Sequence, residues 1–204
     1  KVRIVSYLFI VLSYLIGSIN FAYLVAKYKK LDISSSGSGN PGTSNVMRTI
    51  GKKYAAIVLI GDVLKGFLPI LLFSENMLIY GFAAVIGHIY PIFYKFKGGK
   101  GVATYIGVYI AFSTLNPISY DLFENSYFLF LNIPVLAAFY FVIFKISRIS
   151  AIASLLTVFI SNLILFFSFN VFQDRLIVFL LFCLIIFKHF ENIKRLYEGK
   201  ENKF

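Results

Sequence analysis

Three stretches of this chain combine residue types that grip anions. The first reads Ser34, Ser35, Ser36, Gly37, Ser38, Gly39, Asn40, Pro41, Gly42, Thr43, Ser44, Asn45, with Arg48 shortly after. Glycine tolerates positive φ and close backbone approach, so successive amides can converge on one anion. Hydroxyls, a side-chain amide and a guanidinium would complete the cradle. A flexible Gly/Ser linker has a similar composition, but Pro41, Asn45 and Arg48 make this stretch less like a spacer.

The second stretch runs from Gly87-His88-Ile89-Tyr90-Pro91 to Phe96-Lys97-Gly98-Gly99-Lys100-Gly101. Glycine amides just ahead of a new helix suit phosphate, aided by two lysines and the partial positive charge of the helix N-terminus. It is not a Walker A loop, because Tyr94 stands where the leading glycine belongs and Gly101 where Ser or Thr should follow the lysine. A tight turn whose lysines anchor at lipid headgroups is the plainer alternative. His88 reads as a satisfied interfacial histidine.

In the third stretch, His189, Asn192 and Arg195 recur every three residues and share a helical face, with Glu191 four residues before Arg195 and able to pair with it. A basic stop signal at the end of a membrane span would also place Lys and Arg here. Asp62 and Lys65 stand three residues apart inside an apolar run. At that depth they must pair or line a polar cavity, as a structural ion pair or a ligand site. His88, His189 and Cys183 are too few and too scattered for a metal cluster, so no metal or cofactor is assigned.

The elements that carry these stretches are set by composition. Of 204 residues, 59% are hydrophobic and 14% charged, which points to the bilayer rather than water as the solvent. Apolar runs at about 4–26, 54–73, 77–94, 102–115, 127–146, 151–169 and 175–188 predict an all-α integral membrane protein. The expected architecture is a compact bundle of about seven transmembrane helices forming one domain over 1–204, with the fourth and seventh spans short. The first run is long enough to be retained as a span rather than cleaved as a signal.

Seven passes put the loops at 27–53, 95–101 and 147–150 and the tail from 189 on one side. Of the 20 lysines and arginines, only Lys1, Arg3 and Arg175 fall opposite, apart from Lys65 within a span. By the positive-inside rule the N-terminus is outside and the C-terminus cytoplasmic. Glu75, Asp121, Glu124 and Asp174 mark the outer connections. The net charge of +11 thus belongs to a membrane protein with a basic cytoplasmic face, not to a nucleic-acid binder.

Taken in order and spacing, these stretches resemble the bacterial acyl-phosphate:glycerol-3-phosphate acyltransferases, the PlsY family. They comprise Ser36 to Asn45 with Arg48, Asp62-Val-Leu-Lys65-Gly, Gly87-His-Ile-Tyr-Pro with Phe96 to Thr104, and His189-Phe-Glu-Asn192-Ile-Lys-Arg-Leu196. Tyr14-Leu-Ile-Gly17-Ser18-Ile19 is similar to the family's first helix. The resemblance implies a compact seven-helix inner-membrane enzyme. It would move a fatty acyl group from acyl phosphate to the 1-hydroxyl of sn-glycerol 3-phosphate, yielding lysophosphatidic acid and phosphate.

By resemblance, Ser36, Arg48, His189 and Asn192 are catalytic, and Glu191 is structural with Asp62. The substrate-binding set comprises Gly37, Ser38, Gly39, Asn40, Gly42, Thr43, Asn45 and Lys65 for the donor, and Lys97, Gly98, Gly99 and Lys100 with the His189/Asn192 face for glycerol 3-phosphate. The family also places a serine three residues after the arginine of the third cytoplasmic turn. Here Ala151 stands there and Ser150 one position early, so either Ser150 substitutes or the turn shifts register.

Acyl phosphate is already activated, so a protein need only position two anionic substrates and stabilise the oxyanion and departing phosphate. The acyl-CoA enzymes' histidine with an aspartate five residues on is absent, since Phe93 follows His88 and Lys194 follows His189 at that distance. A rhomboid-like protease would need its serine on an apolar helix, whereas the serines of Ser36-Gly37-Ser38-Gly39 lie in a polar loop. A transporter for a phosphate ester is the non-enzyme alternative. It would call for polar sites on both faces or repeat symmetry, and no repeat is evident.

Overall fold

The computed structural model describes residues 2–73, 77–115, 127–169 and 171–204. Among these every regular element is helical: α1 (Val2–Gly17), α2 (Phe21–Tyr28), α3 (Thr43–Thr49), α4 (Lys52–Leu72), α5 (Met77–Ile89), α6 (Val102–Leu115), α7 (Tyr127–Ser147), α8 (Ser150–Ser168), α9 (Phe172–Lys188) and α10 (Phe190–Tyr197), with a 3₁₀ turn at Ile92–Tyr94. All seven apolar runs are therefore helical. Among the described residues only Ser6–Tyr28, Lys52–Leu72 and Ser150–Ser168 are long and apolar enough to cross a bilayer singly, with α9 plus α10, bent by 52°, a fourth candidate. The shorter Leu78–Tyr94, Val102–Thr114 and Leu131–Ser147 are also apolar. At 1.5 Å per residue, the 14-residue α6 reaches about 21 Å against about 30 Å of hydrocarbon. Glu75, Asp121 and Glu124 lie outside the described residues, while Asp174 sits in the first turn of α9, where a carboxylate meets the helix's partial positive end.

The first apolar run is not one smooth helix. Asn20 adopts an extended conformation and its side-chain oxygen accepts from Tyr23 N–H (3.1 Å), capping α2. The carbonyl of Ile19, freed by that break, accepts from Lys65 Nζ at 2.7 Å. Broken backbone at membrane depth persists only where its polar groups are satisfied, and a buried lysine from α4 does that here.

The chain forms two compact units, residues 1–111 and 112–204. In the first, α4 turns Ile60, Leu64 and Leu72 outward while Asp62, Lys65 and Gly66 face inward. That inverts a soluble protein's pattern and is what lipid as solvent requires. Helix contacts run over glycine: a Cβ at Gly17 would overlap Ala84 O, at Gly87 Tyr14 O, and at Gly107 Val63 O. These close approaches join α1 to α5 and α4 to α6. Ile33 and Val46, both fully buried, join Ala22, Val25, Ala26, Ala55 and Val58 in an apolar cluster that seats the first loop against α2 and α4. In the second unit α8 and α9 are tied by Asn162 Nδ2 donating to Val178 O at 2.9 Å.

Candidate active site

The first loop is folded by its own side chains. Asp32 closes an Asx turn, accepting from Ser34 N–H (2.9 Å), Ser34 Oγ (2.6 Å) and Ser35 Oγ (2.9 Å). Those bonds, the Ser34 side-chain bond foremost, hold its carboxyl below the usual carboxylate range. Ser36 Oγ donates to Asp32 O at 2.7 Å, which leaves its oxygen able to accept.

Asn45, 1% exposed, is the loop's brace. Its Oδ1 accepts from Ser38 N–H (2.9 Å) while Nδ2 donates to Ser36 O (2.9 Å) and Ile33 O (3.3 Å). Gly37 and Gly39 have φ of 59° and 69°, values that a side chain would strain. These bonds give Asn45 a scaffolding role, its amide being engaged inside the loop. Arg48, half-buried, lies three residues on in the same short helix α3.

The glycine-rich turn folds back on the end of α5. Lys95 and Phe96 are left-handed (φ 52° and 59°), an arrangement held by Phe96 N–H donating to Pro91 O (3.0 Å) and Lys97 N–H to Tyr94 O (3.0 Å). Gly99 N–H then reaches His88 O at 3.2 Å. A Cβ on Gly98 would overlap that same carbonyl, and one on Gly99 would overlap His88 Nε2 and approach Pro41 O to 3.1 Å. The buried Gly99 is thus where the first loop, the glycine-rich turn and α5 meet. Lys97 points outward as an exposed residue and Lys100 is half-buried.

Behind this junction lies a buried charged tier. Lys65 Nζ is 2.9 Å from Asp62 Oδ1, both side chains 2% exposed, and His88 Nδ1 stands 3.6 Å from the same oxygen. With its ammonium on Asp62 and Ile19 O, Lys65 secures the break between α1 and α2. His88, read from sequence as interfacial, is 3% exposed and part of the tier. The signal for it was its place one residue after Gly87, whose lack of a side chain lets α1 come close.

The third motif lies in the second unit. His189 ends α9 and begins α10; its Nδ1 is 2.8 Å from Ile185 O. A carbonyl only accepts, so Nδ1 carries the proton and Nε2 is the basic nitrogen of the neutral ring. Asn192, 4% exposed, donates from Nδ2 to Glu201 Oε1 (2.8 Å), and Arg195 Nε meets Glu201 Oε2 (2.8 Å). The carboxylate that pairs with Arg195 is therefore Glu201 and not Glu191, which is exposed. A turn at Gly199 (φ 68°) brings the tail back to α10, a contact that helical spacing does not encode. Ser150 opens α8, half-buried, while Ala151 beside it is buried. The preceding turn carries Arg148 at φ 58°.

These features define a helical integral membrane protein whose glycine-rich turns lie in its loops. A family model for glycerol-3-phosphate acyltransferase matches residues 7–199. The glycerol-3-phosphate acyltransferase of Photobacterium profundum is 41% identical, covering 96% of this chain and 91% of that one. That of Aquifex aeolicus is 38% identical, covering 96% and 97%. A crystal structure of PlsY (YgiH), an integral membrane glycerol 3-phosphate acyltransferase, in its glycerol 3-phosphate form superposes with a TM-score of 0.82. It is 35% identical, and the match covers 97% of this chain and 94% of that one. Its lysophosphatidic acid form gives 0.79. The chain belongs to the glycerol-3-phosphate acyltransferase family, and is an acyltransferase of phospholipid synthesis.

Proposed function

We propose that the protein transfers a fatty acyl group from acyl phosphate to the 1-hydroxyl of sn-glycerol 3-phosphate in the bacterial cytoplasmic membrane. The hydroxyl oxygen bonds to the acyl carbon, the carbon–oxygen bond to phosphate breaks, and the hydroxyl proton is lost. Lysophosphatidic acid and inorganic phosphate leave. The observation that carries this reading is the meeting of the first loop and the glycine-rich turn at Gly99 and Pro41, since two phosphorylated substrates need two cradles held side by side.

Ser36 and Arg48, with the backbone of Gly37, Ser38, Gly39, Asn40 and Gly42, grip the donor's phosphate and carbonyl. Thr43, at the start of α3, lies beside them. Lys97, Gly98, Gly99 and Lys100 hold the acceptor's phosphate. His189 and Asn192 are assigned to the reaction by the family resemblance, and the basic Nε2 of His189 suits a hydroxyl donor.

The test is purified protein with glycerol 3-phosphate and acyl phosphate. Lysophosphatidic acid and phosphate should form in equal amount, with acyl-CoA inactive because its leaving group offers no phosphate to the first loop. Equal use of acyl-CoA with thiol release would overturn the donor assignment. Proteoliposome uptake of glycerol 3-phosphate without acylated product would favour a transporter.

A further inference from the structure

We propose that His88 is a positioning residue for the acceptor: it fixes the glycine-rich turn against the buried Asp62–Lys65 pair and the first loop. This rests on the turn holding the phosphate of glycerol 3-phosphate.

His88 touches the turn twice. Its carbonyl accepts from Gly99 N–H at 3.2 Å, and its ring packs on Gly99 so closely that a Cβ there would overlap Nε2. The ring's other nitrogen, Nδ1, faces Asp62 Oδ1 at 3.6 Å, too long for a hydrogen bond but close enough to set a polar atom beside the carboxylate. An aliphatic side chain could fill the same volume. It would, however, set hydrocarbon against a carboxylate that is 2% exposed, whose desolvation only polar neighbours offset. A polar ring faces the carboxylate and packs on the glycine at once.

The tier behind the ring is anchored in three elements. Asp62 and Lys65 belong to α4, His88 to α5, and Lys65 also binds Ile19 O at the break between α1 and α2. The turn itself is closed by backbone bonds from Phe96 N–H to Pro91 O and from Lys97 N–H to Tyr94 O, and His88 links it to that tier. It contains two left-handed non-glycine residues, Lys95 and Phe96, and a left-handed Gly101, a backbone that holds its shape only where its surroundings dictate it. Gly99 also meets Pro41 O, so a shift of the turn moves it relative to the first loop as well.

The phosphate of the acceptor is remote from its reacting hydroxyl. Loosening the turn therefore weakens substrate and transition state alike, which raises KM and leaves kcat in place. Loss of fold does the opposite, lowering the apparent kcat with KM unchanged. The experiment compares wild type, His88→Gln, His88→Ala, Gly99→Ala and the double variant His88→Ala/Gly99→Ala, with steady-state kinetics in both substrates and thermal unfolding of each.

His88→Gln, which keeps a polar end, should raise the KM for glycerol 3-phosphate a few-fold and His88→Ala by about tenfold or more. The KM for acyl phosphate and kcat should stay within about threefold. Gly99→Ala should be damaging alone yet add little to His88→Ala, because the removed ring makes room for the methyl. An unchanged acceptor KM in His88→Ala, a rise confined to the donor KM, or additive losses in the double variant would overturn the proposal. A wild-type protein that makes no lysophosphatidic acid would instead overturn the reading on which it rests.

Discussion

At the scale of single residues, the structure reassigns the partner of Arg195 from Glu191 to Glu201. Removing the Glu201 carboxylate leaves Asn192 Nδ2 buried without that acceptor and Arg195 without its 2.8 Å partner. A buried donor left unsatisfied costs about 1–3 kcal/mol. Glu201→Ala should therefore lower the unfolding temperature in detergent and abolish most turnover, while the exposed Glu191→Ala should be close to neutral in both. Equal effects would refute the reassignment. Lys65 offers a parallel case, because Lys65→Met strands Asp62 in the interior, a change worth about 3–5 kcal/mol when a buried pair is broken. Adding Asp62→Asn should recover part of that stability. Were Lys65 a substrate ligand instead, the single variant would keep its stability and show a raised KM. The Asp62–Lys65 pair was legible in the sequence because three residues make less than one helical turn. The bond from Arg195 to Glu201 was not, because it depends on a chain reversal at Gly199 that no periodicity announces.

Among the elements, the first loop behaves as a small folded structure and not as a linker. Its amides are aimed by Asn45 and its entry is closed by Asp32. Asp32's folded pKa is depressed, so its contribution is complete above the unfolded value of about 3.9 and is lost as pH falls through the folded one. Hydrogen exchange of the amides at 33–39 should accordingly be constant from pH 8 down to about 5, relative to the intrinsic rate, and loosen below about 4. Asp32→Asn should be looser at neutral pH and indifferent to the acid step; protection unchanged by the substitution would remove the carboxylate from the account. Composition revealed that residues 34–45 were polar and glycine-rich, but not that one asparagine would consume its own amide in bracing them. The break at Ser18–Asn20 went unread for a related reason. Its hydrophobic flanks make 4–26 look like one span, and only the Asn20 cap before Phe21 hints otherwise.

For the whole molecule, apolar run length foretold every long helix because lipid imposes one requirement on all of them, internal backbone hydrogen bonding. Run length marked the fourth span as short, as Val102–Thr114 is, but not Leu78–Tyr94 or Leu131–Ser147, since turn residues and caps, not hydropathy, set their ends. The lysines and arginines crowd the loops at 27–53 and 95–101 and the tail from 189, and by the positive-inside rule we propose that these three face the cytoplasm. Single cysteines can test this, and the structure says where to put them. Gly99 is packed under His88 and Asn192 is held by Glu201, so a thiol at either would report distortion. Ser38, Lys97 and Lys194 are exposed. In a Cys183→Ala background, Ser38→Cys, Lys97→Cys and Lys194→Cys should each resist a membrane-impermeant maleimide added to intact cells and react once the membrane is opened. Each variant should unfold at a temperature near that of the background. If any one of them is labelled in intact cells, its loop lies outside, and the three motifs cannot serve a single cytoplasmic reaction.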